Sequence, residues 1–131
     1  MLKMLVGMTI PRATQFLKNV IDKRECVTAT KFNNGRGRHA QAKQHGQVLA
    51  FWPQKICRVV LKLVANAANN AEVKGLDRGK LIISAAQANP APRIFKRTFG
   101  AHGRINPFMK SPAHLFVMVE EKQAKVPVPA S

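Results

Sequence analysis

The sequence predicts an α+β fold: a small domain of helices packed on a short antiparallel sheet, with a long β-hairpin protruding from it. Two runs rich in Ile, Val, Leu and Phe, residues 81–88 and 114–119, have the composition of strands that pack on a core. Two amphipathic patterns precede them and predict helices that cover one face of the strand pair. The strands are joined by residues 90–112, whereas a hairpin loop usually has about 2 to 5 residues. The connection must therefore project as an extended arm, about 35 Å long if each half holds about 11 residues at about 3.3 Å each.

The two helices are predicted at residues 10–21 and 53–75. The first contains Pro11, which the first turn of a helix tolerates, followed by apolar residues at spacings of three and four. Pro53 begins the second helix, and Gly75 ends it as a C-cap. The predicted apolar face of this second helix consists of Ile56, Val59, Val60, Leu63, Val64, Ala67 and Ala71.

The other segments are a loop, the hairpin and a tail. Residues 22–51 lack periodicity and are rich in turn formers, which predicts a long basic loop with a helical turn at 40–44. Residues 79–119 form the hairpin, with its tip near 101–106, and the proline-rich residues 124–131 form a surface tail. With 131 residues and 46% hydrophobic content, the chain has room for a single domain with a modest core.

The charge balance indicates a polyanionic partner. The chain contains 22 Lys and Arg residues and 6 Asp and Glu residues, which gives a formal net charge of +16. This excess repels itself in the free protein, and binding to RNA or DNA relieves the repulsion and releases counterions. A membrane surface is a weaker alternative, since the charges are not confined to one face of one helix and the longest apolar run is far short of about 18 residues. We expect no membrane insertion.

Cysteine and histidine usage favours neither a disulfide framework nor a metal site. Cys26 and Cys57 stand alone, which fits free thiols in a reducing compartment, and the cytosol is the expected location because residues 1–8 carry no signal-peptide pattern. The four histidines, His39, His45, His102 and His114, lack the spacing of a zinc knuckle. Six scattered acids give no paired-carboxylate or Ser/His/Asp arrangement. We therefore expect no metal, no cofactor and no enzymatic activity.

Two stretches without Asp or Glu hold the candidate RNA-binding residues. Residues 78–119 contain cations interleaved with Phe and Ile, a combination that can clamp phosphates and stack on bases. Residues 26–71 form the second stretch, where an ordinary solvated face would mix charges of both signs. The candidates are Arg93, Lys96, Arg97, Arg104 and Lys110 in the hairpin, and Arg36, Arg38, Lys43, Lys55, Arg58 and Lys62 in the loop and second helix.

Four blocks resemble one known family. They are GRHAQAKQHG at 37–46, the pair Trp52 and Pro53, NAANNAEVKGLD at 66–77, and AHGRINPFMKSP at 101–112. In these blocks the chain resembles the large-subunit ribosomal proteins numbered twenty-two in the universal scheme and seventeen in eukaryotes. The resemblance covers nearly the whole chain, and the insertion at 35–51 is similar to the eukaryotic or archaeal form.

The resemblance implies a structural protein of the large ribosomal subunit whose hairpin lines the nascent-peptide exit tunnel. Its implied partners are large-subunit rRNA, neighbouring large-subunit ribosomal proteins and the nascent polypeptide, with no homo-oligomer. The implied tunnel-lining tip is Ala101, His102, Gly103, Arg104 and Ile105.

The chain departs from the family pattern at three places. Members usually have a strand and a helix ahead of the position of Met1, so the chain is expected to be shortened there. Ile94, Phe95 and Gly100 stand where charged or polar residues are usual, and phenylalanine replaces tyrosine at Phe99 and Phe108. The competing function is a free-standing RNA- or DNA-binding protein, such as a ribosome-assembly factor.

Overall fold

A computed structural model describes residues 1–122, and it confirms the predicted α+β fold. The tail predicted at 124–131 lies outside these residues. The helices are α1 (Leu2–Leu5), α2 (Ile10–Ile21) and α3 (Gln54–Val73), and 3₁₀ turns occur at Ala40–His45, Arg78–Lys80 and Ala101–Gly103. The strands are β1 (Val27–Thr28), β2 (Ala50–Phe51), β3 (Leu81–Pro90), β4 (Ile94–Phe99), β5 (Ile105–Lys110) and β6 (Ala113–Glu121). They form three antiparallel pairs, β1 with β2, β3 with β6, and β4 with β5.

The core lies where α2 and α3 pack together and against the first residues of β3. Its largest fully buried side chains include Phe16 and Leu17 of α2 and Leu81 and Ile83 of β3. Helix α1, which the periodicity did not predict, adds the buried Leu5. The chain after α1 then pairs with β3, because the Gly7 N–H donates to the Ile83 carbonyl at 2.8 Å.

The apolar face predicted for α3 is partly wrong. Val60, Val64 and Ala71 are buried as predicted, but Ile56 and Val59 are about half exposed. The buried stripe is rotated and includes Cys57 and Ala68 instead. The α2 packing contact and the sheet decide which stripe is covered, and neither can be located from the helical period alone. Ile56 and Val59 instead border an open groove of about 890 Å³ between α3 and the hairpin.

Helix α3 ends in a hydrogen-bonded motif that requires its terminal glycine. Gly75 has a φ of +83°, and its N–H donates to the Glu72 carbonyl at 2.9 Å. The Leu76 N–H reaches back to the Ala71 carbonyl at 3.0 Å. These two bonds form a Schellman motif, which satisfies carbonyls left open at the helix end. The chain is thereby turned toward the start of β3.

Residues 22–51 are more ordered than the predicted loop. Strands β1 and β2 pair through Val27 with Phe51 and Thr28 with Ala50. Between them, the predicted helical turn is the 3₁₀ helix Ala40–His45. Cys26, Ala42 and Ala50 are buried there as a second small apolar cluster. The strands are two residues long, which is too short for a periodic pattern to reveal them.

The hairpin has two parts. The stalk, β3 with β6, pairs from Leu81 with Glu121 to Pro90 with Ala113 and contains a bulge beside Ser84. The outer ribbon, β4 with β5, pairs from Ile94 with Lys110 to Phe99 with Ile105. The connection predicted at residues 90–112 therefore contains a strand pair of its own, formed by residues 94–99 and 105–110.

The prediction that residues 114–119 pack on the core is only half correct. Val117 and Val119 pack against the core, whereas Leu115, Phe116 and Met118 are exposed. Val117 and Val119 share one face of β6, and farther out on that face Leu115 borders the open groove with Ile56 and Val59. Phe116 and Met118 point to the opposite face, which the domain does not cover. Their presence there reflects β-propensity rather than burial.

One ion pair links the start of α2 to the segment after it. Arg12 donates two hydrogen bonds to Glu25, the shorter at 2.8 Å, and Asn19 donates a third at 3.1 Å. Burial alone would raise the pKa of Glu25, but these hydrogen bonds outweigh it and lower the pKa. The folded state therefore favours the carboxylate form, which stabilises the fold above the ordinary glutamate pKa of about 4.3.

We expect Glu25→Gln to lower the free energy of unfolding at neutral pH by up to about 1 kcal/mol, since Arg12 is half exposed and screened by solvent. The difference from the wild type should shrink as the pH falls through the lowered pKa, because the wild-type carboxyl then becomes neutral as well. Urea unfolding at neutral and acidic pH measures both values. A difference that did not change with pH would contradict this assignment.

Candidate nucleic-acid interface

Four acidic side chains of the domain already have partners within the chain. Glu25 pairs with Arg12, and Glu72 pairs with Arg78 at 3.1 Å. Asp77 accepts a hydrogen bond from the Gly79 N–H, and its own N–H donates to Glu121. Within residues 1–122 the two ion pairs are those of Arg12 and Arg78, so neither includes any of the eleven candidate cations. The candidate cations are therefore left available for a partner's phosphates.

The five hairpin cations are all exposed. Lys96 and Arg97 lie in β4, Lys110 lies in β5, Arg93 precedes β4, and Arg104 lies in the turn. Adjacent residues of a strand point to opposite faces, so Lys96 and Arg97 project on opposite sides of the outer ribbon. A partner that contacts both must reach both faces of the ribbon.

The outer ribbon ends in a tight turn at residues 101–104. His102 has φ 58° and ψ 29°, and Gly103 has φ 73°. The Arg104 N–H donates to the Ala101 carbonyl at 3.3 Å, which closes a turn with the dihedral angles of type I′. Such turns match the twist of paired strands. A positive φ is unfavourable for a residue other than glycine, so the backbone at His102 is strained. The turn places the His102 imidazole at the outer end of the arm.

The loop cations lie around a shallow concave surface. Arg38 and Lys43 both border an open depression of about 580 Å³. Arg36 is held differently, since its guanidinium lies over the Phe51 ring at 4.1 Å from the ring centre. This cation–π contact orients the Arg36 side chain while its charged group stays exposed.

The helix cations approach the hairpin at one point. Lys55, Arg58 and Lys62 are exposed on α3. Lys55 borders the groove between α3 and the stalk, which Asn89 and Ser111 also line. Asn89 and Ser111 in turn border a smaller hollow with Arg93. The structure thus brings Lys55 and Arg93 to the two sides of one junction, while Arg104 lies far away at the tip.

Residues that shape the loop were not assigned a role from the sequence. His39 packs edge-on against Trp52 with ring centres 4.4 Å apart, and the Trp52 indole N–H donates to the Gln41 side chain at 3.2 Å. Together with Phe51 beneath Arg36, these contacts hold the basic loop against the domain. The placement of aromatic residues immediately after the basic loop is the sequence signal that could have indicated this.

Among residues 1–122, no three His, Cys, Asp or Glu side chains lie close enough together to hold a metal ion.

The Cys26 and Cys57 thiols are both buried. Burial raises the pKa of Cys26, and it raises the pKa of Cys57 to about 11. Both thiols are therefore protonated and unreactive at neutral pH. No helix in the described part of the chain is long and apolar enough to cross a membrane.

Comparison with known proteins identifies the family. The family model described as "Ribosomal protein L22p/L17e" matches residues 1–120. Large ribosomal subunit protein uL22 of Maconellicoccus hirsutus is 52% identical over 124 residues, which is 95% of this chain and 67% of that protein. The uL22 protein of Diaphorina citri is 46% identical over 127 residues, 97% of this chain and 69% of that protein.

A third relative gives the same picture. The uL22 protein of Anopheles gambiae is 49% identical over 116 residues, 88% of this chain and 62% of that protein. The chain thus spans about two thirds of the length of these relatives. The matches extend over the domain and the hairpin together, and on this evidence the chain belongs to the ribosomal protein L22p/L17e family.

Proposed function

We propose that this chain is a structural constituent of the large ribosomal subunit that binds rRNA with its domain and extends its hairpin along the nascent-peptide exit tunnel. Membership of the family carries the first part and makes the chain a ribosomal component rather than an enzyme. The binding residues and the tunnel contact go further than the family match, and they are inferred from the distribution of charge and exposure.

The domain binds rRNA phosphates through the loop and helix cations. Arg36, Arg38, Lys43, Lys55, Arg58 and Lys62 are exposed and have no acidic partner within residues 1–122. Each phosphate that they neutralise releases condensed counterions, which drives binding at low salt. Neutralising phosphates where rRNA segments converge reduces the repulsion between those segments. The mechanism is therefore positional: the domain allows RNA to pack closely.

The hairpin acts as a spacer whose tip reaches the tunnel. Every residue from Pro92 to Leu115 is exposed in the isolated chain. A two-stranded ribbon without a core beneath it is only marginally stable in water, so its surroundings must support it. In the ribosome rRNA supplies that support, and Ala101, His102, Gly103, Arg104 and Ile105 face the passage of the nascent chain.

The proposed setting is the cytosolic ribosome, with neighbouring large-subunit proteins and rRNA as the stable partners and one copy of the chain in each subunit. The nascent polypeptide is a transient partner. The competing function, a free-standing RNA- or DNA-binding protein, shares the positive charge but does not need a projecting arm.

Binding to folded rRNA fragments should weaken steeply as salt rises. Arg38→Ala is expected to reduce the slope of log affinity against log salt by about one ion, because Arg38 is exposed and borders the loop depression. Filter binding of the full chain across a salt series measures this slope. Arg12→Ala is the matched control, since Arg12 is already paired with Glu25 and should change the slope less.

Two results would contradict the proposed function. A flat salt dependence would exclude the electrostatic footprint. Equal affinity for duplex DNA and folded rRNA would favour the free-standing nucleic-acid-binding protein.

A further inference from the structure

The outer ribbon has two unlike faces. Strand partners, and residues two apart along a strand, share a face, so the register assigns every side chain. One face, here called the aromatic face, consists of Phe95, Arg97, Phe99, Ile105, Pro107 and Met109. The other, the polar face, consists of Ile94, Lys96, Thr98, Asn106, Phe108 and Lys110. Five of the six residues of the aromatic face are apolar, and its one charge is a guanidinium.

The aromatic face is open to solvent. Phe95 is 78% exposed and Phe99 is 81% exposed, and Ile105 and Met109 across from them are also exposed. A contiguous apolar surface of this kind in a soluble chain marks a binding surface, because water contact with it is unfavourable. We therefore expect a binding partner to cover these two phenylalanines, which are exposed in the isolated chain.

We propose that the aromatic face stacks on unpaired bases of RNA while the polar face contacts the phosphates. This inference rests on the proposed function and deepens it, since it assigns the ribbon to single-stranded rather than helical rRNA. Phe95 and Phe99 are four residues apart on the same face, about 13 Å at about 3.3 Å per residue. Each ring thus has room for a base of its own, and Arg97 lies between them where it reaches the linking phosphates.

Charge complementarity favours RNA over an apolar peptide as the occupant. Residues 78–119 contain no Asp or Glu, so the ribbon offers only positive charge. An apolar peptide could cover the five apolar side chains, but it would bury the Arg97 guanidinium without a counter-charge, which is costly. RNA supplies a base for each ring and a phosphate for Arg97. Double-helical RNA does not fit, because its bases are already stacked and its deep groove is closed to side chains.

The test compares stacking with charge in the full chain. In the double variant Phe95→Leu and Phe99→Leu, both side chains remain apolar but lose their π faces. Both positions are exposed, so the fold should not change, as circular dichroism would verify. The matched control is Lys96→Gln and Lys110→Gln on the polar face. The probe is fluorescent oligouridylate of about 12 nucleotides, free and annealed to oligoadenylate, since single-strand binders cover about 4 to 16 nucleotides.

Fluorescence anisotropy should show that the leucine variant loses about tenfold or more in affinity for free oligouridylate, with an unchanged salt slope, because base stacking contributes about 1 to 3 kcal/mol per base. Its affinity for the duplex should stay close to the wild-type value. The lysine control should instead reduce the salt slope by about two ions on free oligouridylate.

Wild-type affinity of the leucine variant for free oligouridylate would overturn the proposal, as would an equal loss on both probes. In either case an unaltered, steep salt slope on folded rRNA would leave the proposed function standing. A flat slope for the wild-type chain on folded rRNA would instead be the failure of the proposed function itself.

Discussion

A cysteine introduced as His102→Cys is expected to crosslink to a short nascent chain in translating ribosomes, whereas Lys18→Cys on the domain should not. The tip lies at the far end of the arm, and Lys18 lies on the exposed side of α2. The two native thiols of this chain need not be removed, because Cys26 and Cys57 are buried and protonated at neutral pH. Gel analysis of ribosome–nascent-chain complexes after thiol-directed photocrosslinking gives the result.

A second cysteine probe, at Ala101, controls for the backbone strain at His102. His102 has a positive φ, which a cysteine tolerates poorly, but the φ of Ala101 is not positive, so Ala101→Cys should report the same passage from an ordinary backbone position. If neither probe captured a nascent chain of any length while the ribosomes translated normally, the hairpin would not line the tunnel. The rRNA-binding part of the proposed function would remain.

Phe16→Ala should destabilise the domain by about 3 to 5 kcal/mol, because it removes the largest fully buried side chain and leaves a cavity. A domain of this size has a total stability of about 5 to 15 kcal/mol, so a substantial unfolded fraction is expected at elevated temperature. Guanidinium unfolding followed by circular dichroism measures the change. We expect the same variant to bind rRNA weakly, since the cations of α3 depend on the core for their positions.

Phe99→Ala is the matched control, because the same atoms are removed from a side chain that is 81% exposed. Its effect on unfolding should be within about 0.5 kcal/mol. A large loss of stability in Phe99→Ala would mean that the outer ribbon packs on the domain. A small loss in Phe16→Ala would mean that the core is placed wrongly.

Helices α2 and α3 and the hairpin could be predicted because each has a strong local signal. The apolar period of α2, the glycine that ends α3 and the two apolar strands around a basic connection all lie in short stretches of sequence. The turn at Gly103 has a local cause as well, since its positive φ suits glycine. The fold class follows from these elements together.

The rest depends on contacts between distant residues. The buried stripe of α3 is chosen by α2, so periodicity misplaced Ile56 and Val59. Strands β1 and β2 are held by each other and by the cluster around Cys26, and no local pattern indicates two-residue strands. The cation–π contact of Arg36 with Phe51 likewise joins residues fifteen positions apart. At the candidate interface, composition predicted the charges but not the division of the outer ribbon into two faces, which needs the strand register.

The register of the hairpin also bears on how the chain folds. Phe99 and Ile105 pair across a short turn, whereas Leu81 and Glu121 are separated by forty positions. Closing the longer loop first would cost about 1.7 kcal/mol more in chain entropy, so pairing is expected to begin at the tip and zip toward the base. The last pairs to form bring Ile83 and Val119 onto the core. Residues 78–119 contain no Asp or Glu, so the two arms of the hairpin repel each other until their charge is neutralised. A polyanion bound to the arm should therefore speed this pairing and, with it, the docking of Ile83 and Val119 on the core.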